Sequence, residues 1–520
     1  MDVTQATGSS RFRRVHEVIT PWIGSHPDSV AVEDSRHRLT YQDLDEAVQA
    51  AARQLRELGV RPGDRVLLVA ENCAALAVLV LAASACDAWA VVANARLSPR
   101  EIDNFIAHSG ARRVLYAADV SPEALAHAQR AGAATRAWLH VGELAVGPLN
   151  ECAVPEPVSH DAGGQVAAMI YTSGTSGRPK GVMLTHAGLL HIATLSRRLR
   201  GMGPGDRIYG VLPMAHVVGL SSQLVGSLFC GCTLQLAPRY APEATAAALR
   251  EGTTVLLGVP AMFAKLLEWC ARTQTSLAGH SLRIIGTAGS PLTMDLKQAA
   301  EAAFGLPLQN GYGLTEMSPT VAQTLLDAPR QDCSVGPPVP GVEIRIVDPS
   351  GNDVASGNVG ELWVRGPNIM KGYYRDEALT RAAINAEGWF NTGDMARQDS
   401  DGALFIVGRT KELIIRSGFN VYPVEVEQVL NGHPAIVQSA VVGRAADGNE
   451  EVIAFVELAA GVSVDRDELD AYLRQRLSPY KVPTEVRAMA QLPAAPTGKL
   501  LKHEIKRLAE KAPDVQQRLI

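Results

Sequence analysis

The stretch Met169-Ile-Tyr-Thr-Ser-Gly-Thr-Ser-Gly-Arg-Pro-Lys-Gly-Val-Met-Leu-Thr185 places a loop of small and hydroxyl residues between two apolar runs. The apolar runs predict strands, and the loop between them is suited to a polyphosphate. Gly174 and Gly177 let backbone N–H groups approach oxyanions closely, and Lys180 adds positive charge. Four hydroxyl groups add further donors: Thr172, Ser173, Thr175 and Ser176.

This loop does not have the spacing of an ordinary P-loop, because Pro179 stands where that pattern requires glycine followed by lysine. A flexible Ser/Gly surface turn is the alternative interpretation of such a loop taken alone. Other motifs in the chain are therefore needed to decide between a phosphate-binding loop and a surface turn.

The sequence around the loop predicts an α/β fold. Apolar runs at residues 65–70 and 88–93 alternate with helical patterns such as residues 41–58, which favours mixed or parallel sheets covered by helices. Short alternating strands follow residue 335 and indicate a β-rich subdomain over residues 335–409. We expect an N-terminal domain over residues 1–409 and a small, mobile α+β C-terminal domain over residues 410–520.

Composition excludes several classes of function. The 520 residues carry a formal net charge of -5 with no Lys/Arg block, so neither nucleic acid nor an anionic membrane is an expected partner. The most apolar run, residues 74–86, is too short to span a bilayer and predicts a buried helix. No apolar segment follows Arg14 to make a secretory signal, so a cytoplasmic protein with reduced cysteines is expected.

Residues 171–180 resemble the phosphate-loop signature of the adenylate-forming superfamily, which contains acyl-CoA synthetases, firefly luciferase and the adenylation domains of peptide synthetases. The resemblance covers nearly the whole chain, and its motifs occur in the family's order. The further matches are Leu39-Thr-Tyr41, Leu212-Pro-Met-Ala-His216, Gly311-Tyr-Gly-Leu-Thr-Glu316, Gly388-Trp-Phe-Asn-Thr-Gly-Asp394, Gly408-Arg-Thr-Lys411 and Pro496-Thr-Gly-Lys499.

The resemblance implies an ATP-dependent ligase that joins a small carboxylic acid to coenzyme A, with Mg²⁺ as cofactor. Tyr312 would stack on adenine, Thr315 would contact the α-phosphate, and Glu316 would hold Mg²⁺. Asp394 would accept the ribose hydroxyls, and Arg409 would make a second contact with ATP. Besides the loop residues Thr172 to Gly177 and Lys180, the nucleotide site would include Gly289, Ser290, Pro291, Asn310, Gly311 and Gly313.

The chemistry requires a cation near the reacting atoms, because a carboxylate must approach an anionic triphosphate. The resemblance assigns this role to Lys499, which would act in catalysis with Thr315, Glu316 and His216. Lys411 would be the hinge about which the C-terminal domain rotates. Coenzyme A would then meet the loop that contains Ser417, Gly418 and Phe419, whereas Ile415 stands where some relatives carry a lysine.

The acid would lie in a small, largely apolar pocket. By resemblance, its lining is His216, Val218, Ser222, Gly286, Ala288 and Gly311. A neutral lining favours an aryl or a medium-chain to long-chain aliphatic acid over a dicarboxylate, which would need a buried Arg or Lys for its second charge. For His216 alone, a buried core histidine is the alternative.

Two other functions stay open at the level of sequence. A stand-alone adenylating enzyme would load the phosphopantetheine of a carrier protein in place of free coenzyme A. A nucleotide-binding protein without turnover would keep the fold alone. The oligomeric state, a homodimer included, is open as well.

Overall fold

The structure is a computed structural model that describes residues 12–172, 179–417, 419–446, 449–459, 461–494 and 500–511. Strands and helices alternate along the first part of the chain. They are α1 (Thr20–Ser25), β1 (Val30–Glu33), β2 (Arg38–Thr40), α2 (Tyr41–Glu57), β3 (Arg65–Ala70), α3 (Ala74–Ala85), β4 (Trp89–Asn94), α4 (Pro99–Ser109), β5 (Arg113–Tyr116), α5 (Pro122–Arg130), β6 (Ala134–Trp138), β7 (Gly142–Val146), β8 (Val166–Thr172) and β9 (Lys180–Thr185).

The middle part continues the alternation and includes one π-helix. Its elements are α6 (His186–Arg200), β10 (Arg207–Gly210), the π-helix (Val218–Val225), α7 (Gly226–Cys230), β11 (Thr233–Leu236), α8 (Pro242–Arg250), β12 (Val255–Gly258), α9 (Pro260–Thr273), β13 (Ile284–Ala288), α10 (Met294–Phe304), β14 (Leu308–Gly313) and β15 (Thr320–Gln323).

The last part is richer in antiparallel strands. Its elements are β16 (Glu343–Val347), β17 (Gly360–Arg365), β18 (Gly372–Tyr373), α11 (Glu377–Ala383), β19 (Phe390–Gln398), β20 (Leu404–Arg409), β21 (Ile414–Arg416), β22 (Phe419–Val421), α12 (Pro423–Asn431), β23 (Ile436–Ala446), β24 (Asn449–Leu458), α13 (Arg466–Arg476), β25 (Glu485–Met489) and α14 (Lys502–Ala509).

Two eight-stranded sheets form the larger part of the molecule. One has the order β15-β14-β13-β12-β10-β11-β1-β2, and the other has the order β18-β9-β8-β4-β3-β5-β7-β6. In the first sheet, the strands from β14 to β1 are parallel, so their carboxyl ends meet at one edge, where α/β sheets bind ligands. The α/β fold class predicted from the sequence is confirmed.

The largest core contains buried side chains from both of these sheets and from the helices α2, α3 and α6. Helix α3 is apolar on every side and is buried almost throughout, as the sequence predicts. Helix α2 begins with a capping box, in which Thr40 Oγ1 accepts from the Asp43 N–H and the Asp43 carboxylate accepts from the Thr40 N–H. In the described ranges, no helix has the length and apolar character needed to cross a membrane.

The chain beyond β15 forms smaller sheets. Strands β16, β17, β19 and β20 make a four-stranded antiparallel sheet within the segment predicted to be β-rich. Strands β23, β24 and β25 make a three-stranded sheet, with its own cores built from residues between Ile414 and Ala509. The segment between these sheets, around residue 411, is where the sequence predicts a domain boundary.

Candidate active site

The segment Gly311–Glu316 lies at the carboxyl end of β14. Gly313 has no room for a side chain, because a Cβ atom there would lie 2.2 Å from the carbonyl oxygen of Pro319. Gly311 pairs with Ala288 on one side and with Gln323 on the other. A short 3-10 helix, Thr315–Met317, follows the strand, and Thr315 and Glu316 are half-buried in it.

Three predicted nucleotide residues meet at one point. The hydroxyl group of Tyr312 donates to Asp394 Oδ2, and Arg409 Nε lies 3.1 Å from Asp394 Oδ1. Asp394 and Arg409 are opposite each other in the β19–β20 pair. Burial and then the Asp394 charge raise the pKa of Tyr312 well above its ordinary value, so the phenol keeps its proton. Burial lowers the pKa of Arg409, but neighbouring acids, Asp394 first, raise it above the usual value.

The turn before Asp394 is closed by the side chains of the residues that precede it. The side-chain oxygen of Asn391 accepts from the Gly393 N–H at 2.8 Å, and Thr392 Oγ1 accepts from the Asp394 N–H at 3.0 Å. The turn is therefore closed by Asn391 and Thr392, so the Asp394 carboxylate is left for Tyr312 and Arg409.

A second group surrounds Glu316. The hydroxyl group of Tyr373 donates to Glu316 Oε1 at 2.8 Å, and the ammonium nitrogen of Lys180 lies 5.1 Å from the centre of the Tyr373 ring. Strand β18 brings Tyr373 here because it pairs with β9, which begins at Lys180. Desolvation and the Glu316 charge raise the pKa of Tyr373, so it remains a donor. Sequence reasoning missed Tyr373, since no motif contains it.

This arrangement fits a magnesium ion. Mg²⁺ prefers hard oxygen ligands and is commonly held by one or two carboxylates together with substrate phosphates. Glu316 supplies such a carboxylate and is oriented by Tyr373, whose ring also lies beside Lys180, the first residue of β9. In the described part of the chain, no cluster of three or more His, Cys, Asp or Glu residues is arranged as a metal site, so phosphate oxygens would have to complete the coordination.

The predicted phosphate loop connects β8 to β9. These strands pair antiparallel, and Thr172 lies opposite Lys180 at the open end of the pair. The loop therefore leaves the sheet where Lys180 approaches Tyr373. Its other predicted residues, Ser173, Gly174, Thr175, Ser176 and Gly177, lie outside the described residues.

The remaining residues predicted to bind the nucleotide follow β13 or lie within β14. Gly289, Ser290 and Pro291 follow β13 directly and are exposed. The side-chain amide of Asn310 donates to the carbonyl oxygens of Cys333 and Ser334, at 3.1 and 3.2 Å. Asn310 therefore fixes the end of β14 to the chain beyond β15.

The predicted acyl pocket has two walls, a sheet face and the π-helix. Gly286, Ala288 and Gly311 lie on the face of β13 and β14 that faces the largest core. Val218 begins the π-helix, which is packed tightly because a Cβ atom at Gly219 would lie 2.2 Å from the Pro213 carbonyl oxygen. Ser222 is buried in the same helix. π-helical turns are rare and occur often at functional sites.

His216 precedes the π-helix and is exposed, which rules out the alternative of a buried core histidine. Its carbonyl oxygen accepts from the Leu220 N–H at 3.0 Å, so the backbone at His216 is tied to the start of the π-helix. The side chain is thus carried on the wall predicted for the acyl pocket.

Sequence reasoning also missed Arg200, at the end of α6. Its guanidinium group donates to Gln323 at 2.9 Å and to Ser196 at 3.3 Å. Gln323 is the residue opposite Gly311, so this cation is close to a residue of the predicted acyl pocket. The sequence alone does not indicate this contact, because 123 positions separate Arg200 from Gln323.

The predicted hinge, Lys411, is exposed and lies between two sets of contacts. On one side are the Arg409–Asp394 ion pair and a 3.2 Å hydrogen bond from Thr410 Oγ1 to Glu361. On the other side, Glu412 forms a 2.9 Å ion pair with Lys502 at the start of α14. Lys411 thus separates residues bound to the four-stranded sheet from residues bound to the C-terminal helices.

The predicted coenzyme A loop connects β21 to β22. Ser417 donates its backbone N–H to Asn449 at 2.6 Å, and Phe419 stacks on Tyr480 with 4.7 Å between ring centres while 54% of its surface is exposed. Ile415 is similarly exposed. Gly418 and the predicted catalytic residue Lys499 lie outside the described residues.

Comparison with known families gives two matches. Residues 20–374 match the family described as AMP-binding enzyme, and residues 425–499 match the AMP-binding enzyme C-terminal domain. The segment between them contains the predicted hinge.

Individual proteins agree with the family match. A feruloyl-CoA synthase of Amycolatopsis sp is 36% identical over 490 residues, which cover 92% of this chain and 96% of that protein. The ATP-bound crystal structure of MatB from Rhodopseudomonas palustris is 28% identical with a TM-score of 0.85, over 96% of this chain and 99% of that one. The MenE o-succinylbenzoate coenzyme A synthetase of Bacillus subtilis, solved with ATP and magnesium, is 29% identical with a TM-score of 0.80, over 94% and 99%. The chain belongs to the AMP-binding enzyme family, in its branch of AMP-forming acid–thiol ligases.

Proposed function

We propose that this ligase acts in two steps. In the first, a carboxylate oxygen attacks the α-phosphorus of ATP, and pyrophosphate leaves as the acyl-adenylate forms. In the second, the thiol of coenzyme A attacks the acyl carbon, the thioester forms, and AMP leaves. ATP-dependent joining of an acid to coenzyme A is the activity of the branch to which the chain belongs.

One observation carries the first step: the Tyr312–Asp394–Arg409 contacts and the Tyr373–Glu316 contact flank the single segment Gly311–Glu316. A nucleoside bound by the first group would direct its phosphates toward the second. Glu316 would hold Mg²⁺, which supplies positive charge to the phosphate oxygens when it is bound.

The first step needs orientation and charge rather than a general base. A simple carboxylic acid has a pKa near about 4.3 and is ionised at neutral pH. The transition state spreads negative charge over phosphoryl oxygens, which positive groups stabilise. Lys180 would neutralise charge at the phosphate loop, and Lys499 would bridge the attacking carboxylate and the α-phosphate.

The second step would require the C-terminal part to turn about Lys411. This motion would withdraw Lys499 and bring the β21–β22 loop, with Ser417, Gly418 and Phe419, toward the adenylate. The contacts that flank Lys411 support this position for the hinge, since rotation there would leave both the Asp394–Arg409 and the Glu412–Lys502 pairs intact. The proposed domains are thus residues 1–409 and 410–520.

The pocket lining supports an acid with an aryl or a medium-chain to long-chain aliphatic body. Gly286, Ala288 and Gly311 would leave the wall on the sheet without bulky side chains. Val218 would add an apolar side chain to the wall formed by the π-helix. The feruloyl-CoA synthase relative is named for an aryl acid, which agrees with such a lining.

The test is release of pyrophosphate that depends on ATP and magnesium, over a panel of aryl, fatty and dicarboxylic acids, with and without coenzyme A. We expect one acid class to give a coenzyme A thioester together with AMP. Pyrophosphate without any thioester would instead favour a carrier-protein phosphopantetheine as acceptor. No pyrophosphate with any acid would contradict the proposal and favour a nucleotide-binding protein without turnover.

Replacing Lys499 separates the two steps. Lys499→Ala should lower adenylate formation about 100-fold to 1000-fold, as expected on removing one group that stabilises transition-state charge. Thioester formation from supplied acyl-adenylate should be retained, and Lys506→Ala, on the exposed face of α14, is the matched control. Equal loss in both half-reactions would refute the role assigned to Lys499.

A further inference from the structure

Arg200 is a partly buried charged side chain that has no acidic partner among the described residues. Within the described residues, its guanidinium group donates two hydrogen bonds, to the neutral side chains of Ser196 and Gln323, and has no carboxylate within ion-pair distance. A guanidinium group has five N–H donors, so three remain. Desolvation lowers the pKa of Arg200 to about 10.

The Arg200 side chain is not the group that caps the end of α6. The carbonyl groups at the end of α6 are already satisfied by another residue, because Arg283 donates to the carbonyl oxygens of Arg200 and Gly201 at 3.1 and 3.0 Å. A partly buried guanidinium group that keeps unused N–H donors is suited to an anion that binds beside it.

The two contacts of Arg200 place it between the walls of the acyl pocket. Gln323, on the sheet side, lies opposite Gly311, and a Cβ atom at Gly311 would lie 3.6 Å from the Gln323 Cβ. Ser196, on the helical side, is next to Gly226, where a Cβ atom would lie 2.8 Å from the Ser196 hydroxyl oxygen. Gly226 directly follows the π-helix that carries Ser222.

The two ends of the predicted acyl pocket would therefore differ. At its outer end, the reacting carboxylate would meet the nucleotide beside the segment Gly311–Glu316. The end of α6 lies at the opposite edge of the sheet, because Arg283 immediately precedes β13 and contacts Arg200 there, whereas the nucleotide segment follows the carboxyl ends of the strands. The Arg200 side chain extends from that edge toward Gln323 and remains only partly buried.

We propose that Arg200 binds a second anionic group, a carboxylate or a sulfonate, at the end of the acid remote from the carboxyl group that is activated. This inference rests on the proposed function and refines its substrate class. The acid has an aryl or aliphatic body that fits the small apolar walls, and its far end carries a negative charge that pairs with the guanidinium group. Arg200 is then a determinant of specificity, whereas the chemistry of activation takes place at the other end.

The test compares acids that share a body and differ only at the far end. The pairs are octanedioic against octanoic acid and 4-carboxycinnamic against 4-methylcinnamic acid, each measured as kcat/KM for pyrophosphate release. For wild type, we expect at least one charged member to exceed its uncharged counterpart. Arg200→Met should lower kcat/KM for that charged acid about 10-fold to 100-fold, the usual value of a hydrogen bond to a charged group, and leave the uncharged acid nearly unchanged.

Two controls separate specificity from folding. Arg198→Met removes an exposed arginine of the same helix and should change neither acid. Arg200→Lys keeps the charge and should restore part of the preference for the charged acid, while thermal unfolding of each variant shows that it is folded.

The outcomes separate this inference from the function on which it rests. If both uncharged acids react in wild type and neither charged acid does better, the inference is overturned and the ligase proposal stands. An equal fall for charged and uncharged acids in Arg200→Met also overturns it. If no acid in either pair or in the wider panel releases pyrophosphate, the proposed function and this inference fail together.

Discussion

Tyr373 and Tyr374 are adjacent in the chain, but their hydroxyl groups reach different parts of the molecule. Tyr373 donates to Glu316 in the candidate active site, whereas Tyr374 donates to Glu156 at the same distance of 2.8 Å, away from that site. The alternation of side chains along an extended segment sends neighbouring residues to opposite faces. The pair therefore provides a site residue and its control at consecutive positions.

Tyr373→Phe should weaken activity without loss of the fold. Without the hydroxyl donor, the Glu316 carboxylate is less firmly oriented, so we expect a higher magnesium concentration for half-maximal pyrophosphate release and a fall in kcat/KM of about 10-fold. A magnesium titration measures both. Tyr374→Phe should leave the magnesium curve in place, and identical curves for wild type and Tyr373→Phe would count against magnesium at Glu316.

Among the elements, the π-helix Val218–Val225 needs a glycine at Gly219 in order to pack against the preceding backbone. Gly219 lies against the Leu212–Pro213 backbone, with a Cβ position 2.6 and 2.2 Å from the two carbonyl oxygens. These carbonyl groups belong to the motif that carries His216. The π-helix, which is the predicted acyl-pocket wall, is therefore packed against the motif before it through backbone atoms.

Gly219→Ala should destabilise the protein by about 1–3 kcal/mol, because the methyl group can be accommodated only if the backbone moves. The displacement should raise KM for the acid more than KM for ATP, since the π-helix forms the acyl wall. Thermal unfolding and the two KM values measure this. Gly24→Ala in helix α1 has open space for its methyl group and should be neutral or slightly stabilising. An equally neutral Gly219→Ala would show that the wall is loosely packed.

At the scale of the whole molecule, Lys502 ties the C-terminal part to the segment of the predicted hinge. Its ammonium nitrogen is 2.9 Å from Glu412, the residue after Lys411, and 2.9 Å from Glu427 in α12. Glu427 also accepts from the Val441 N–H in β23 at 2.8 Å. Lys502 and Glu427 together thus connect α12, α14, β23 and the segment of the predicted hinge, so we expect these parts to move as one body.

Lys502→Met should destabilise the C-terminal part by about 1–3 kcal/mol. This figure lies below that for a fully buried pair, because the groups are partly exposed and solvent screens them. Two carboxylates would face each other without a cation, so adding Glu412→Gln should recover part of the loss. Limited proteolysis and unfolding measure the effect, and Lys506→Met on the exposed face of α14 is the control. No recovery in the double variant would indicate that the ion pair does not tie the hinge.

The sequence by itself determined the family, the α/β fold class and the residues that lie in short contiguous motifs, such as Gly311 to Glu316. The physical reason is that the conformation of a turn, and the strand that it follows, depend mostly on the types of a few consecutive residues. Tertiary structure alone decided that Tyr373 contacts Glu316 and that Arg200 contacts Gln323. The Tyr373–Glu316 hydrogen bond joins residues 57 positions apart, and the Arg200–Gln323 hydrogen bond joins residues 123 positions apart. Both contacts depend on which strands are neighbours in a sheet. Strand order follows from packing of the entire chain, which no local pattern encodes.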